Sequence, residues 1–137
     1  MKTRKTLTFV LMDAPFESSR TATAMRLIDI ALGRGLNVNV FAYEGAVFLP
    51  FAPQKAHPNA VHGRDTEEED HPLSREWVAS LIGKADRMGA AFDWVNCGLC
   101  VDERGAGEAI EGVRRGSPTD LWAMASSSHN TLVIPTA

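Results

Sequence analysis

Cys97 and Cys100 are the chain's two cysteines, and only Gly98 and Leu99 separate them. At that spacing one thiolate can attack a sulfur atom while the other thiol resolves the product, or both can ligate a metal. The pair follows the apolar run Ala90-Ala91-Phe92-Asp93-Trp94-Val95 and precedes a helical pattern, so it is expected at a strand-to-helix junction. In open α/β sheets, ligands bind beyond the carboxyl ends of the strands, where such a junction lies. A thiol at a helix N-terminus also faces unpaired backbone N–H groups that favour thiolate. Gly98 leaves room for a substrate sulfur or a partner to approach the backbone. Arg104, Arg114 and Arg115 add positive potential nearby, while Asp102 and Glu103 oppose it. Cys97 and Cys100 are therefore the expected catalytic residues. Asn96, Gly98 and Arg104 are the expected substrate-binding residues, although Asn96 can equally bond the turn backbone.

Other polar groups carry weaker signals. His57, His62 and His71 together with the two cysteines would supply a Cys₂His₂ zinc set. Their irregular spacing in a polar stretch favours surface histidines, so no metal and no cofactor are expected. The run Glu67-Glu68-Glu69-Asp70 reads as solvated charge or as a docking element for a basic partner. Ser126-Ser127-Ser128-His129 lacks the Gly-x-Ser-x-Gly of a hydrolase elbow. Gly105-Ala106-Gly107 lacks the third glycine of a dinucleotide fingerprint and does not directly follow a strand.

The elements that must position the cysteines follow from periodicity. Leu7 to Met12 and Leu36 to Ala42 read as strands, with a helix between them from Arg20 to Arg34 behind the candidate caps Ser18 and Ser19. This β-α-β order is the signature of a parallel sheet. A second helix is expected from Leu73 to Met88, capped by Ser74, and a third strand from Ala90 to Val95. A helix from the cysteines to about Val113, a helical segment from Pro118 to Ala125 and a strand from Thr131 to Ile134 complete the chain. The expected fold is a three-layer α/β sandwich around a mostly parallel, about five-stranded sheet, with residues 1–137 as one domain. Pro50 to Pro72, rich in proline, histidine and acid, interrupts this pattern as an insertion. It is expected to be mobile from about Pro53, because few apolar groups there offset the entropy of ordering. Thioredoxin is excluded by position, since its cysteine pair follows an early strand and this one lies after two βα units.

Composition narrows the partners. The 137 residues carry a net charge of -3, which argues against a broad nucleic-acid surface. The basic start Met1-Lys2-Thr3-Arg4-Lys5 precedes an apolar run that Asp13 cuts short of a signal peptide. No stretch reaches transmembrane length, so the expectation is a cytoplasmic protein with no membrane partner. Two closely spaced cysteines do not make a secreted disulfide framework. The apolar content of Tyr43 to Phe51 exceeds what one small domain is expected to bury, so a homo-oligomer is expected through that segment. Trp77, Trp94 and Trp122 are assigned to core or subunit interface.

The segment Asn96-Cys97-Gly98-Leu99-Cys100-Val101-Asp102-Glu103-Arg104-Gly105 resembles the active-cysteine segment of the DsrE/DsrF-like family of sulfur-relay proteins. Downstream, Gly116-Ser117 and Asp120-Leu121-Trp122 resemble that family's Gly-Ser and Asp-Leu helix segment. The resemblance implies a persulfide carrier at Cys97, counted back from Arg104-Gly105, that relays sulfur between donor and acceptor proteins. It also implies assembly as a trimer or hexamer. Cys100 is extra relative to one-cysteine members and would resolve a persulfide as a disulfide. Two alternatives stand beside this sulfur-carrier or sulfurtransferase reading. One is an oligomeric binding or regulatory module with a redox-sensing thiol pair; the other is a zinc-stabilised module.

Overall fold

The computed structural model describes residues 4–58, 64 and 73–136. Its sheet has five strands, β1 (Thr6–Leu11), β2 (Asn37–Ala42), β3 (Phe92–Cys97), β4 (Val113–Gly116) and β5 (Asn130–Ile134). They run in the order β4-β3-β2-β1-β5, and every neighbouring pair is parallel. The helices are α1 (Ser19–Gly33), α2 (Ser74–Met88), α3 (Gly98–Arg104) and α4 (Pro118–Ser127), with a 3₁₀ segment at Glu44–Phe48. This is the expected three-layer α/β architecture, and among the described residues the sheet is wholly parallel.

Strand alternation sorts side chains onto two faces. Phe9, Leu11, Val38, Val40, Ala42 and Trp94 face α1 and α2, where they bury against Met25, Ile28, Leu32, Val78 and Leu81. Each such large side chain contributes about 1.5–3 kcal/mol by leaving water. Phe41, Val95 and Cys97 face the other way, toward Cys100 and Val101 of α3 and Met124 of α4. Buried Thr8 anchors α4 to this face: its hydroxyl donates to Met124 O and shares a short hydrogen bond with Ser128 Oγ.

Helix α1 begins as expected, with Ser18 Oγ accepting from Arg20 N. Helix α2 corrects the expected cap. Ser74 is its first residue, and its hydroxyl donates to Leu49 O instead. The free N–H of Arg75 is met by Gln54 Oε1 at 3.0 Å, so the cap comes from a residue 21 positions upstream. Gln54 also donates to Phe48 O and Ser74 Oγ, while Arg75 bonds Ala52 O and Gln54 O. The opening of the proline-rich stretch is therefore tied to α2. Residues 59–63 and 65–72, with His62, His71 and the acidic run, lie outside the described residues.

Two further corrections concern the second half. The third strand lies two residues later than expected and includes Cys97 as its last residue. The helix behind it ends at Arg104, nine residues before Val113, because Gly105 takes the left-handed conformation (φ 65°) that closes a helix. The chain then returns to form β4, an edge strand absent from the sequence expectation. In the expected interface segment Tyr43 to Phe51, Ala46, Val47 and Leu49 bury completely within their own chain, while Tyr43, Phe48 and Phe51 stay partly exposed. No helix among the described residues is long and apolar enough to cross a membrane.

Candidate functional site

The parallel strands deliver their carboxyl ends to one edge, and three connections meet there: Asp13 to Glu17 after β1, Tyr43 and Glu44 after β2, and the cysteines after β3. Cys97 closes β3 and is the N-cap of α3, without bonding the helix through its side chain. Both thiols are free and buried, with 6% of Cys97 and 9% of Cys100 exposed.

Both cysteines belong to one buried cluster with Phe41, Val95 and Met124. Cys100 Sγ also accepts the backbone N–H of Glu44 at 3.2 Å. Burial pushes the Cys100 thiol up, the Glu44 N–H pulls it down, and neighbouring Cys97 pushes it up again; the balance is upward. Cys100 Sγ is thus engaged by the Glu44 loop, whereas Cys97 lies at the strand end.

The Glu44 contact is built at a cost. Its backbone stands at φ 53°, a left-handed conformation that costs a non-glycine residue about 1–3 kcal/mol. The side chain helps to hold it there, because Glu44 Oε2 pairs with Arg104 Nη2 at 2.5 Å. Arg104 therefore binds the loop that covers Cys100. Tyr43, Glu44 and Arg104 form one side of a cleft of about 460 Å³, and Asp13 and Glu17 line the other. Asp13 is itself buried, its carboxylate accepting from Ser18 Oγ at 2.6 Å. Sequence reading missed Glu44, whose contribution is a backbone N–H and a strained φ that no side-chain pattern announces.

Gly98 is needed for close packing. A Cβ there would stand 2.7 Å from Arg115 Nε and 3.2 Å from Arg115 Cζ, so the guanidinium lies against the first turn of α3. Arg115 also bonds both carboxylate oxygens of Asp102, at 2.8 and 2.5 Å. Arg114 pairs in register with Val95 and lies on the α4 side, where Asp93 and Asp120 hold it.

Asn96 stands apart from the thiols. It follows the alternation of β3 onto the α1/α2 side, opposite Cys97, and is 2% exposed. Its Oδ1 accepts from Trp94 Nε1 at 3.1 Å and its Nδ2 donates to Val47 O at 3.1 Å. The amide thus clips the 3₁₀ segment to β3. His57 packs edge-on against Phe16 and contacts Pro58 O through Nδ1. Among the described residues, no three His, Cys, Asp or Glu side chains gather where they could hold a metal ion. Trp94 is fully buried, Trp77 packs partly buried against the α1/α2 core, and Trp122 is 77% exposed.

Comparison with known proteins agrees with this architecture. The profile of the DsrE/DsrF-like family matches residues 5–134. An uncharacterized protein of Methanocaldococcus jannaschii is 27% identical over 127 residues, covering 91% of this chain and 96% of its own length. An uncharacterized protein of Methanopyrus kandleri is 29% identical over 128 residues, covering 92% and 91%. Among solved structures, the ychN protein from E. coli superposes with a TM-score of 0.69 at 18% identity, over 96% of this chain and 99% of that one. A conserved protein of unknown function from Bacteroides thetaiotaomicron gives 0.56 at 13% identity, over 95% of each chain. At these identities the two structures speak for the fold.

Proposed function

The chain belongs to the DsrE/DsrF-like family, whose fold is of the sulfur-relay type, and from that premise we propose that it is a sulfur carrier loading a persulfide on Cys97. The observation that supports the reading is the asymmetry of the thiol pair: Cys100 Sγ is engaged by the backbone N–H of Glu44, while Cys97 stands at the end of β3 as the N-cap of α3. The Cys97 thiolate attacks the outer sulfur of a donor persulfide, R–S–SH. A bond forms between Cys97 Sγ and that sulfur, the donor S–S bond breaks, and R–S⁻ leaves. An acceptor thiolate attacks the outer sulfur of Cys97–S–SH in turn, taking it and restoring the Cys97 thiolate. Alternatively, deprotonated Cys100 attacks the inner sulfur, giving a Cys97–Cys100 disulfide and releasing HS⁻. The partners are then sulfur-donor and sulfur-acceptor proteins. A free dithiol fits a reducing compartment, in keeping with a cytoplasmic site of action. Exposed Trp122 and Leu99, at 77% and 69%, join the partly exposed Tyr43, Phe48 and Phe51 as surfaces through which copies would associate.

Intact-mass measurement after exposure to polysulfide tests the reading. The wild type should gain one sulfur atom, Cys97→Ser none, and Cys100→Ser should gain it and hold it longer. Loading that survives Cys97→Ser but not Cys100→Ser would reverse the roles. No loading in any form, with loss of two hydrogens under mild oxidant, would favour the second reading, a redox-sensing dithiol. The placement of both cysteines in one buried cluster supports that alternative.

A further inference from the structure

We propose that Arg115 is a positioning residue for anionic sulfur donors at Cys97, fixed against the first turn of α3 by Asp102 and admitted there by the missing side chain of Gly98. The inference rests on the sulfur-carrier reading and deepens it by naming the donor class, a sulfane sulfur carried on an anion. Thiosulfate is the simplest member. With it, the Cys97 thiolate forms a bond to the outer sulfur, the S–S bond of thiosulfate breaks, and sulfite leaves with the bonding pair, so that Cys97–S–S⁻ and SO₃²⁻ carry the same three negative charges as the reactants. A thiolate and a dianion repel each other, and a fixed cation beside the point of attack offsets that repulsion.

Three observations place the cation. The guanidinium lies where a Cβ of residue 98 would stand, beside the peptide that follows Cys97. Its two bonds to Asp102 use two of its five N–H groups, and the side chain is 56% exposed, leaving donors turned to solvent. Asp102 holds Arg115 more firmly protonated, so the cation beside Gly98 is kept. The other charged groups around the thiols are already engaged: Arg104 with Glu44, and Arg114 with Asp93 and Asp120. Cys100 and Tyr43, both pushed up chiefly by burial, are the remaining titratable neighbours.

The test uses two alkylating reagents of similar size, anionic iodoacetate and neutral iodoacetamide, on full-length protein carrying Cys100→Ser so that Cys97 alone reacts. The readout is the ratio of their rate constants at one pH and low salt. Arg115→Gln should lower the iodoacetate-to-iodoacetamide ratio roughly five-fold, the factor one nearby unit charge gives in a mostly aqueous setting. Arg115→Lys should restore most of it. Gly98→Ala, which keeps the charge but pushes the guanidinium away, should lower the ratio in part. High salt should erase the difference. An unchanged ratio in Arg115→Gln, or an equal loss with both reagents, would overturn the proposal. Alkylation needs no sulfur donor, so a lowered ratio in a protein that never takes up sulfur would retain the anion guide and reject the sulfur-carrier reading.

Discussion

On one face of the sheet, α1 and α2 bury Met25, Ile28, Leu32, Leu81 and Trp94 in an apolar layer. On the other face, a smaller cluster of Phe41, Val95, Met124 and the two cysteines lies among Thr8, Asp93, Arg114 and Asp120. The first face excludes water and carries stability. The second keeps thiols, ion pairs and a strained loop together at the strand ends. Asn96 and Cys97 show how sharply the division runs: they are adjacent in sequence, yet β3 turns one into the stability face and the other into the site.

The two tryptophans at opposite ends of the burial scale give the largest contrast. Trp94→Ala removes a fully buried ring from the α1/α2 core and should cost about 3–5 kcal/mol of folding stability. Trp122→Ala, on the outer surface of α4, should change the single chain by no more than about 0.5 kcal/mol. Denaturant titration checks both, and comparable losses would mean that the second face holds the fold as firmly as the first.

Asn96 sharpens the comparison at the boundary. Asn96→Ala leaves the Trp94 indole N–H and Val47 O without their partner, and should cost about 1–3 kcal/mol. Polysulfide loading per folded molecule should stay at the wild-type level, because the amide points away from Cys97. A loading defect at unchanged stability would return Asn96 to the substrate role expected from its position in the sequence.

Much of this division was legible before the structure. The β-α-β opening, the Ser18 cap and the placement of the cysteines behind a strand all follow from local pattern. Asn96 was legible too, since a period of two sends neighbours to opposite faces, but proximity to Cys97 obscured it. What local pattern misplaced was the stretch from Gly105 to Gly116. Ile110 and Val113 continue the helical spacing of α3, while β4 offers only Val113-Arg114-Arg115-Gly116, two charges in four residues. Such a strand is tolerated because it pairs with β3 alone and leaves its other edge to water. The α2 cap was hidden for a different reason: Gln54 reaches a partner 21 positions away, and no local signal pairs it with Arg75.

Acid should separate the two faces most gently. The hydrogen bond from Arg115, with that residue's charge, holds the Asp102 carboxyl below its usual range. The backbone N–H of Ser117, and then Arg114, do the same for Asp120. Both groups ionise more easily folded than unfolded, so each stabilises the fold above its unfolded pKa of about 3.9. That stabilisation fades as pH falls from there toward the lower folded values. Asp102 anchors Arg115 to α3, and Asp120 closes the capping box of α4, so the loss falls on the second face. Amide exchange should therefore speed up in α3 and α4 before α1 and α2 as pH drops from 5 toward 3 (roughly the span in which carboxylates titrate). Because both carboxylates are at the surface, the effect should be small and should shrink in high salt. Asp120→Asn should remove the α4 part of the response and leave the α3 part. Simultaneous loosening of all four helices would show that the sheet couples its faces, and the separation of stability from chemistry would fail.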